Sequence, residues 1–186
     1  MTANPVPAVF RCVIMRHMRR TLSFLTALAA ALALALGITG VAATPAAAAD
    51  APIGRIGDTL RVQHGDLIAD VTVIGITPSE IPPGWGFPPR PPREQVFKAQ
   101  VVVQAIQVPN SYAMAVSFSF RGVTPTGDAY EPRTTDAPDA LQNALRNAPQ
   151  GSAVGGAVYW DCYRDLVSNV VLIDKQSGVH LAQWNL

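Results

Sequence analysis

Few side chains in this sequence could do covalent or metal chemistry. Beyond the first fifty residues it holds two histidines, His64 and His180, one cysteine, Cys162, and no G-x-S-x-G elbow around any serine. A serine hydrolase needs a nucleophile, a base and a group that orients the base. Here such a triad would have to be gathered from distant loops, so no catalytic residue is assigned. A copper centre on a β-sandwich takes two histidines and a cysteine, usually with a methionine nearby. His64, His180, Cys162 and Met114 supply those types, but Cys162 lacks the closely following histidine and methionine that one loop normally provides. Paired C-x-x-C or H-x-x-x-H ligands for structural zinc are also missing. Asp161 and Asp165, near Tyr163, fall short of the oxygen set that calcium requires, and read as a solvated turn. No metal or cofactor is assigned, and both histidines are expected at the surface.

Recognition chemistry is better represented. Pro78 to Arg93 holds seven prolines, with Trp85, Phe87, Arg90 and Arg93 among them. Proline fixes φ and donates no hydrogen bond, so this stretch is a stiff surface loop and not a central strand. Aromatic and arginine side chains dominate binding hot spots, and a stiffened loop loses less entropy on docking. Trp85, Phe87, Arg90 and Arg93 are therefore the candidate partner-binding residues. The competing reading is a rigid connection whose Trp85 and Phe87 tuck back over the sandwich edge.

The elements that would carry this loop show a period of two. In Val96 to Gln107, Phe97, Ala99, Val101, Val103 and Ala105 share one side, while Lys98, Gln100 and Gln104 share the other. Gly54 to Val62 reads as a first strand. Ala69 to Thr77 reads as an inner strand with a bulge near Gly75. Tyr112 to Arg121 alternates too, and is expected to return as a hairpin against Val96 to Gln107. Ala129 to Glu131 is a brief strand. Asp136 to Asn147 is the one expected helix, capped by Asp136 or Asp139. Gly151 to Tyr163 points Val154, Val158, Trp160 and Cys162 inward, with Gly155 and Gly156 permitting a bulge or a close approach. Val170 to Asp174 and Val179 to Trp184 close the chain as a hairpin. Seven or eight short strands with little helix imply an all-β, antiparallel sandwich.

Ahead of this domain, Arg11, Arg16, His17, Arg19 and Arg20 precede an apolar run from Leu22 to Leu36 and small residues ending at Ala49. This is the layout of a secretory signal peptide over residues 1–49, followed by a domain over 50–186. A retained membrane helix is the alternative, opposed by the shortness of the apolar run. Arg19-Arg20 resembles a twin-arginine signal that Thr21, Leu22 and Ser23 do not extend, and Met15 or Met18 could be the true start. Cleavage removes four arginines and no acid, leaving 10 basic against 13 acidic side chains, a net charge of −3. That balance argues against nucleic acid as a partner. Cys162 is then alone, with no internal disulfide available. It reads as an inert core thiol, the alternative being an intermolecular disulfide. Together with exposed strand edges it leaves monomer and weak dimer open.

The order of landmarks resembles a known family. Ile81-Pro82-Pro83-Gly84-Trp85, Val96-Phe97-Lys98-Ala99, Ser117-Phe118 with Arg121, Gly127 and Tyr130, Gln150-Gly151, Tyr159-Trp160-Asp161, Val170-Val171 and Trp184 are similar to the small secreted mycobacterial antigens of the immunoprotective extracellular protein family. The likeness spans nearly all of residues 50–186. It departs from the family in a longer proline-rich loop and in Lys98, where an acidic side chain is expected. The resemblance implies an immunoglobulin-like sandwich, a cleaved leader, a secreted or envelope-associated location and no established activity. It supplies no catalytic residue. The reading is an extracellular, non-enzymatic antigen or binding module with a protein partner from envelope or host, and no stable membrane anchor after cleavage. The alternatives are an envelope structural protein without a ligand, or a hydrolase or metal-binding sandwich.

Overall fold

The computed structural model describes residues 50–86 and 91–186. The expected leader over 1–49 lies outside those residues, as do Phe87 and Arg90. Nine strands, β1 (Ile53–Arg55), β2 (Thr59–His64), β3 (Leu67–Ser79), β4 (Gln95–Gln107), β5 (Phe118–Val123), β6 (Ala129–Tyr130), β7 (Ala153–Cys162), β8 (Asn169–Asp174) and β9 (His180–Asn185), and two short helices, α1 (Ala113–Ser117) and α2 (Leu141–Leu145), make up the described regular structure. One sheet runs β1-β9-β8-β5-β6 and the other β2-β3-β4-β7. The strand pairs are antiparallel except β1 with β9. The architecture is an immunoglobulin-like β-sandwich, and the described residues form a compact unit holding both sheets.

The core follows the alternation. Phe97, Ala99, Val101, Val103 and Ala105 of β4 are buried between the sheets with Val71 and Val73 of β3 and Val158, Trp160 and Cys162 of β7. Across the gap stand Phe118 and Phe120 of β5, Val170 and Leu172 of β8 and Trp184 of β9. Burial on this scale is the main driving force, at about 25 cal/mol per Å² of apolar surface. The two core indoles also satisfy their polar atoms: Trp160 Nε1 donates to the Phe120 carbonyl at 2.9 Å, and Trp184 Nε1 to that of Asp58 at 3.0 Å. A shift in the pairing of β3 with β4 between Val73 and Gly75 is the bulge expected there. β8 and β9 form the expected terminal hairpin, with Gly178 at φ +71° in its turn.

Four expectations are corrected. Residues 54–62 are not one strand: the chain turns at Gly57, φ +100°, and delivers β1 and β2 to different sheets. Tyr112 to Arg121 is not one strand either. Its first half forms α1, which buries the adjacent Met114 and Ala115, before β5 begins at Phe118. β4 and β5 do not pair, because α1 carries the chain from one sheet to the other; β4 lies between β3 and β7. The helix expected over 136–147 shrinks to α2, whose N-cap is Ala140 with no side-chain cap, so neither Asp136 nor Asp139 caps it.

Candidate functional site

β7 is a sheet-edge strand, yet much of it is covered. The segment from Arg133 to Ala140 runs along it: Arg133 N donates to Tyr159 O at 2.8 Å, and Ala157 N to Asp139 O at 2.6 Å. This crossing protects an edge that would otherwise offer itself to another strand. It also creates a second buried cluster on the outer face of β4 and β7, formed by Trp85, Val96, Ala137, Ala140, Ala157 and Tyr159. Tyr159 donates its hydroxyl to Asp139 Oδ1 at 2.8 Å. Burial and that hydrogen bond push its pKa up to about 12.

Trp85 thus sits in a core and not on the surface. It is 5 % exposed, so its indole is not free to seat a partner. The start of the proline-rich loop is tied down around it, with Gly86 N donating to Thr134 O at 2.7 Å and Asp136 N to Pro83 O at 2.8 Å. Gly84, at φ +65°, leaves no room for a side chain against Asp136. The Arg133 guanidinium stands 5.7 Å from the Trp85 ring. Trp85 Nε1 and Arg133 Nε and Nη2 are buried without a hydrogen-bond acceptor among the described residues.

The other end of the loop reaches a different surface. Arg93 N donates to Asp161 Oδ1 at 2.8 Å, and the Arg93 guanidinium lies 4.4 Å from the centre of the Tyr163 ring. Arg164 stands 5.7 Å from the same ring, and Tyr130 meets it edge-on at 5.4 Å. Tyr163 is 39 % exposed. Arg164 is held by Asp128 at 3.1 Å, and Tyr130 donates to the Asp165 carbonyl at 3.1 Å, so the framework behind the ring is braced. Of the residues expected to bind a partner, Arg93 stands exposed at this surface, Trp85 is buried, and Phe87 and Arg90 lie outside the described residues. Tyr163 and Arg164 were not singled out by the sequence. Alternation from Gly151 to Tyr163 places Tyr163 on the face opposite Cys162, but only the fold brings Arg93 to it.

Around His64 the described residues do not assemble a triad. His64 Nε2 lies 3.9 Å from Asp174 Oδ2, and Ser177 Oγ donates to that same oxygen at 2.7 Å. The carboxylate therefore stands between serine and histidine. A triad needs the histidine in the middle, where it can take the serine proton. Cys162 is buried, and burial, then the neighbouring Asp161 charge, pushes its pKa up to about 12. An intermolecular disulfide would require it to leave the core. Among the described residues no three His, Cys, Asp or Glu side chains converge on a common point. Lys98, the departure from the family pattern, stands 6.0 Å from the Tyr159 ring.

Residues 51–184 match a family model described as a domain of unknown function, DUF1942. The chain belongs to this family. The secreted Mycobacterium tuberculosis protein MPT63 has a similar structure, with a TM-score of 0.59 and 22 % identity over 74 % of this chain and 99 % of that one. A Staphylococcus aureus chain assigned only provisionally as a lipoprotein aligns at a TM-score of 0.37 and 8 % identity, over 69 % of this chain and 92 % of its own. No curated protein sequence matches significantly. The family resemblance drawn from Ile81 to Trp184 is thereby borne out, and with it the sandwich.

Proposed function

We propose that this member of the DUF1942 family is an exported, non-enzymatic recognition module that holds a protein partner at the end of the sandwich carrying Arg93, Tyr163 and Arg164. The observation that carries the reading is Tyr163, an exposed ring beside two guanidinium groups on a braced support. Tyrosine and arginine are the residue types enriched in binding hot spots, and a group ordered before binding loses less entropy. Export is supported by the three-part leader and by the likeness to a chain described as secreted. The reversed order of Ser177, Asp174 and His64 supports a non-enzymatic role. The test captures partners from envelope and host-cell extracts with residues 50–186. Saturable capture, lost by at least tenfold in Tyr163→Ala and Arg93→Ala but kept in Arg61→Ala, is expected. Undiminished capture by the first two variants, or no saturable partner, contradicts the reading.

A further inference from the structure

Arg93 is anchored at its backbone and at its head, yet no carboxylate pairs with it among the described residues. The guanidinium groups of Arg61, Arg121 and Arg164 are each paired, with Asp70, Glu131 and Asp128 respectively. The Arg93 N–H instead donates to Asp161 Oδ1, and its guanidinium lies 4.4 Å from the centre of the Tyr163 ring. A guanidinium resting on an aromatic face keeps its N–H edges for hydrogen bonds in its own plane. Its position is set before anything binds, while its donors stay open.

The cleft that Arg93 lines is small and polar. About 210 Å³ lies between Arg93, Tyr130, Glu131, Asp161 and Tyr163, open to solvent. Small-molecule pockets begin at about 300 Å³, so this space suits one side chain of a larger partner. Charge decides which side chain. Arg93 and Arg133 stand at the wall with Glu131 and Asp161, and Glu131 is already paired with Arg121. Those five groups leave one positive charge in surplus. A single carboxylate is thus favoured over a cationic side chain, and over a phosphate dianion, whose second charge would meet Glu131 and Asp161. Of the two arginines at the wall, Arg93 is the one placed to grip it, because Arg133 packs its Nε and Nη2 beside Gly86, where both are buried.

We infer that this cleft takes an acidic side chain from a peptide segment of the partner, with its carboxylate on the Arg93 fork and the Tyr163 ring behind that fork. The inference rests on the proposed recognition role and deepens it by naming the chemistry of the contact. Charge-assisted hydrogen bonds are roughly twice as strong as neutral ones, and an arginine can make two of them in parallel to one carboxylate. That difference is what separates glutamate from glutamine at this position.

The experiment titrates residues 50–186 with blocked pentapeptides Gly-Ser-X-Ser-Gly, in which X is glutamate, aspartate, glutamine or lysine. Binding is read from backbone amide and arginine side-chain shifts in NMR spectra. The glutamate and aspartate peptides are expected to saturate the shifts and to bind at least fivefold more tightly than the glutamine or lysine peptide. Arg93→Gln should bring the glutamate peptide down to the level of the glutamine peptide, and Arg93→Lys, which keeps charge without the fork, should lie between. Arg61→Gln, whose arginine is already paired with Asp70, should bind as wild type does. Tyr163→Leu removes the ring behind the fork and should weaken the glutamate peptide at least threefold, whereas Tyr163→Phe, which keeps the ring, should not. Equal binding of the glutamate and glutamine peptides, tighter binding of the lysine peptide, undiminished binding in Arg93→Gln, or no saturable binding of either acidic peptide overturns the inference. Capture from extracts, with Tyr163→Ala alongside, is scored separately. A peptide failure with capture intact removes only the acidic contact, and a capture failure with the acidic peptides bound removes only the partner in those extracts.

Discussion

At Asp174 a single carboxylate organises the β8–β9 turn. Its Oδ2 accepts from Ser177 Oγ at 2.7 Å, Ser177 N at 2.8 Å and Gln176 N at 3.2 Å. Burial pushes its pKa up, but the Ser177 hydrogen bonds and the nearby His64 outweigh it and hold the group below its ordinary value of 3.8. The sign follows from linkage. A carboxyl whose folded pKa is depressed stabilises the fold above its unfolded value, and that stability is lost as pH falls through the folded pKa. Asp174→Ala is therefore expected to lose about 1–3 kcal/mol at pH 7, because three donors lose their acceptor. The difference from wild type should narrow below pH 3.8. Urea midpoints at pH 7 and pH 3 check this, and an equal loss at both would contradict it. Cys162 gives a second residue-scale prediction. With a pKa of about 12 and no exposed thiol, it should react with an aromatic disulfide reagent at least a hundredfold more slowly in the native state than in denaturant. Comparable rates would place it outside the core.

Among the elements, β7 and α2 depend on one close approach. A Cβ on Gly156 would lie 2.6 Å from the Leu141 Cα and 2.7 Å from the Asp139 carbonyl oxygen, both backbone atoms that cannot swing aside. Gly156→Ala should cost about 1–3 kcal/mol by overpacking. Gly155→Ala, whose nearest neighbour is 3.5 Å away, should stay within about 0.5 kcal/mol of wild type. Thermal denaturation of the two variants separates them, and equal midpoints would refute the packing argument. The sequence foretold that a close approach was permitted at these two glycines, but not which of them needs it. Legibility followed a physical rule at this scale. Phe97 to Ala105 was readable because a half-buried strand must alternate. Ala113 to Ser117 misled because its small and large residues also suit one helical turn, which buries Met114 and Ala115 side by side. The partners of β4 were not readable at all. Alternation fixes which face of a strand is buried, but β4 lies between β3 and β7 through contacts with distant parts of the chain. The site was legible only in part for the same reason: Arg93 lies 70 residues from Tyr163 in sequence, and only the pairing of β4 with β7 brings them together.

Taken as a whole, the molecule spends its proline-rich loop on two tasks. One end seals Trp85 into the outer cluster, and the other lays Arg93 over Tyr163. The rigid-connection reading fits Trp85, and the proposed recognition role rests on Arg93. The solvent-facing side of β3 and β4 also exposes apolar residues, Ile74 and Val102. The account is tested most directly by placing a photo-reactive benzoylphenylalanine at position 163 and, in a separate variant, at position 102, then irradiating each in envelope and host-cell extracts. A discrete adduct from position 163, competed away by unlabelled protein and absent from position 102, is the result the account predicts. Adducts of equal yield from both positions, or none from position 163, would contradict it.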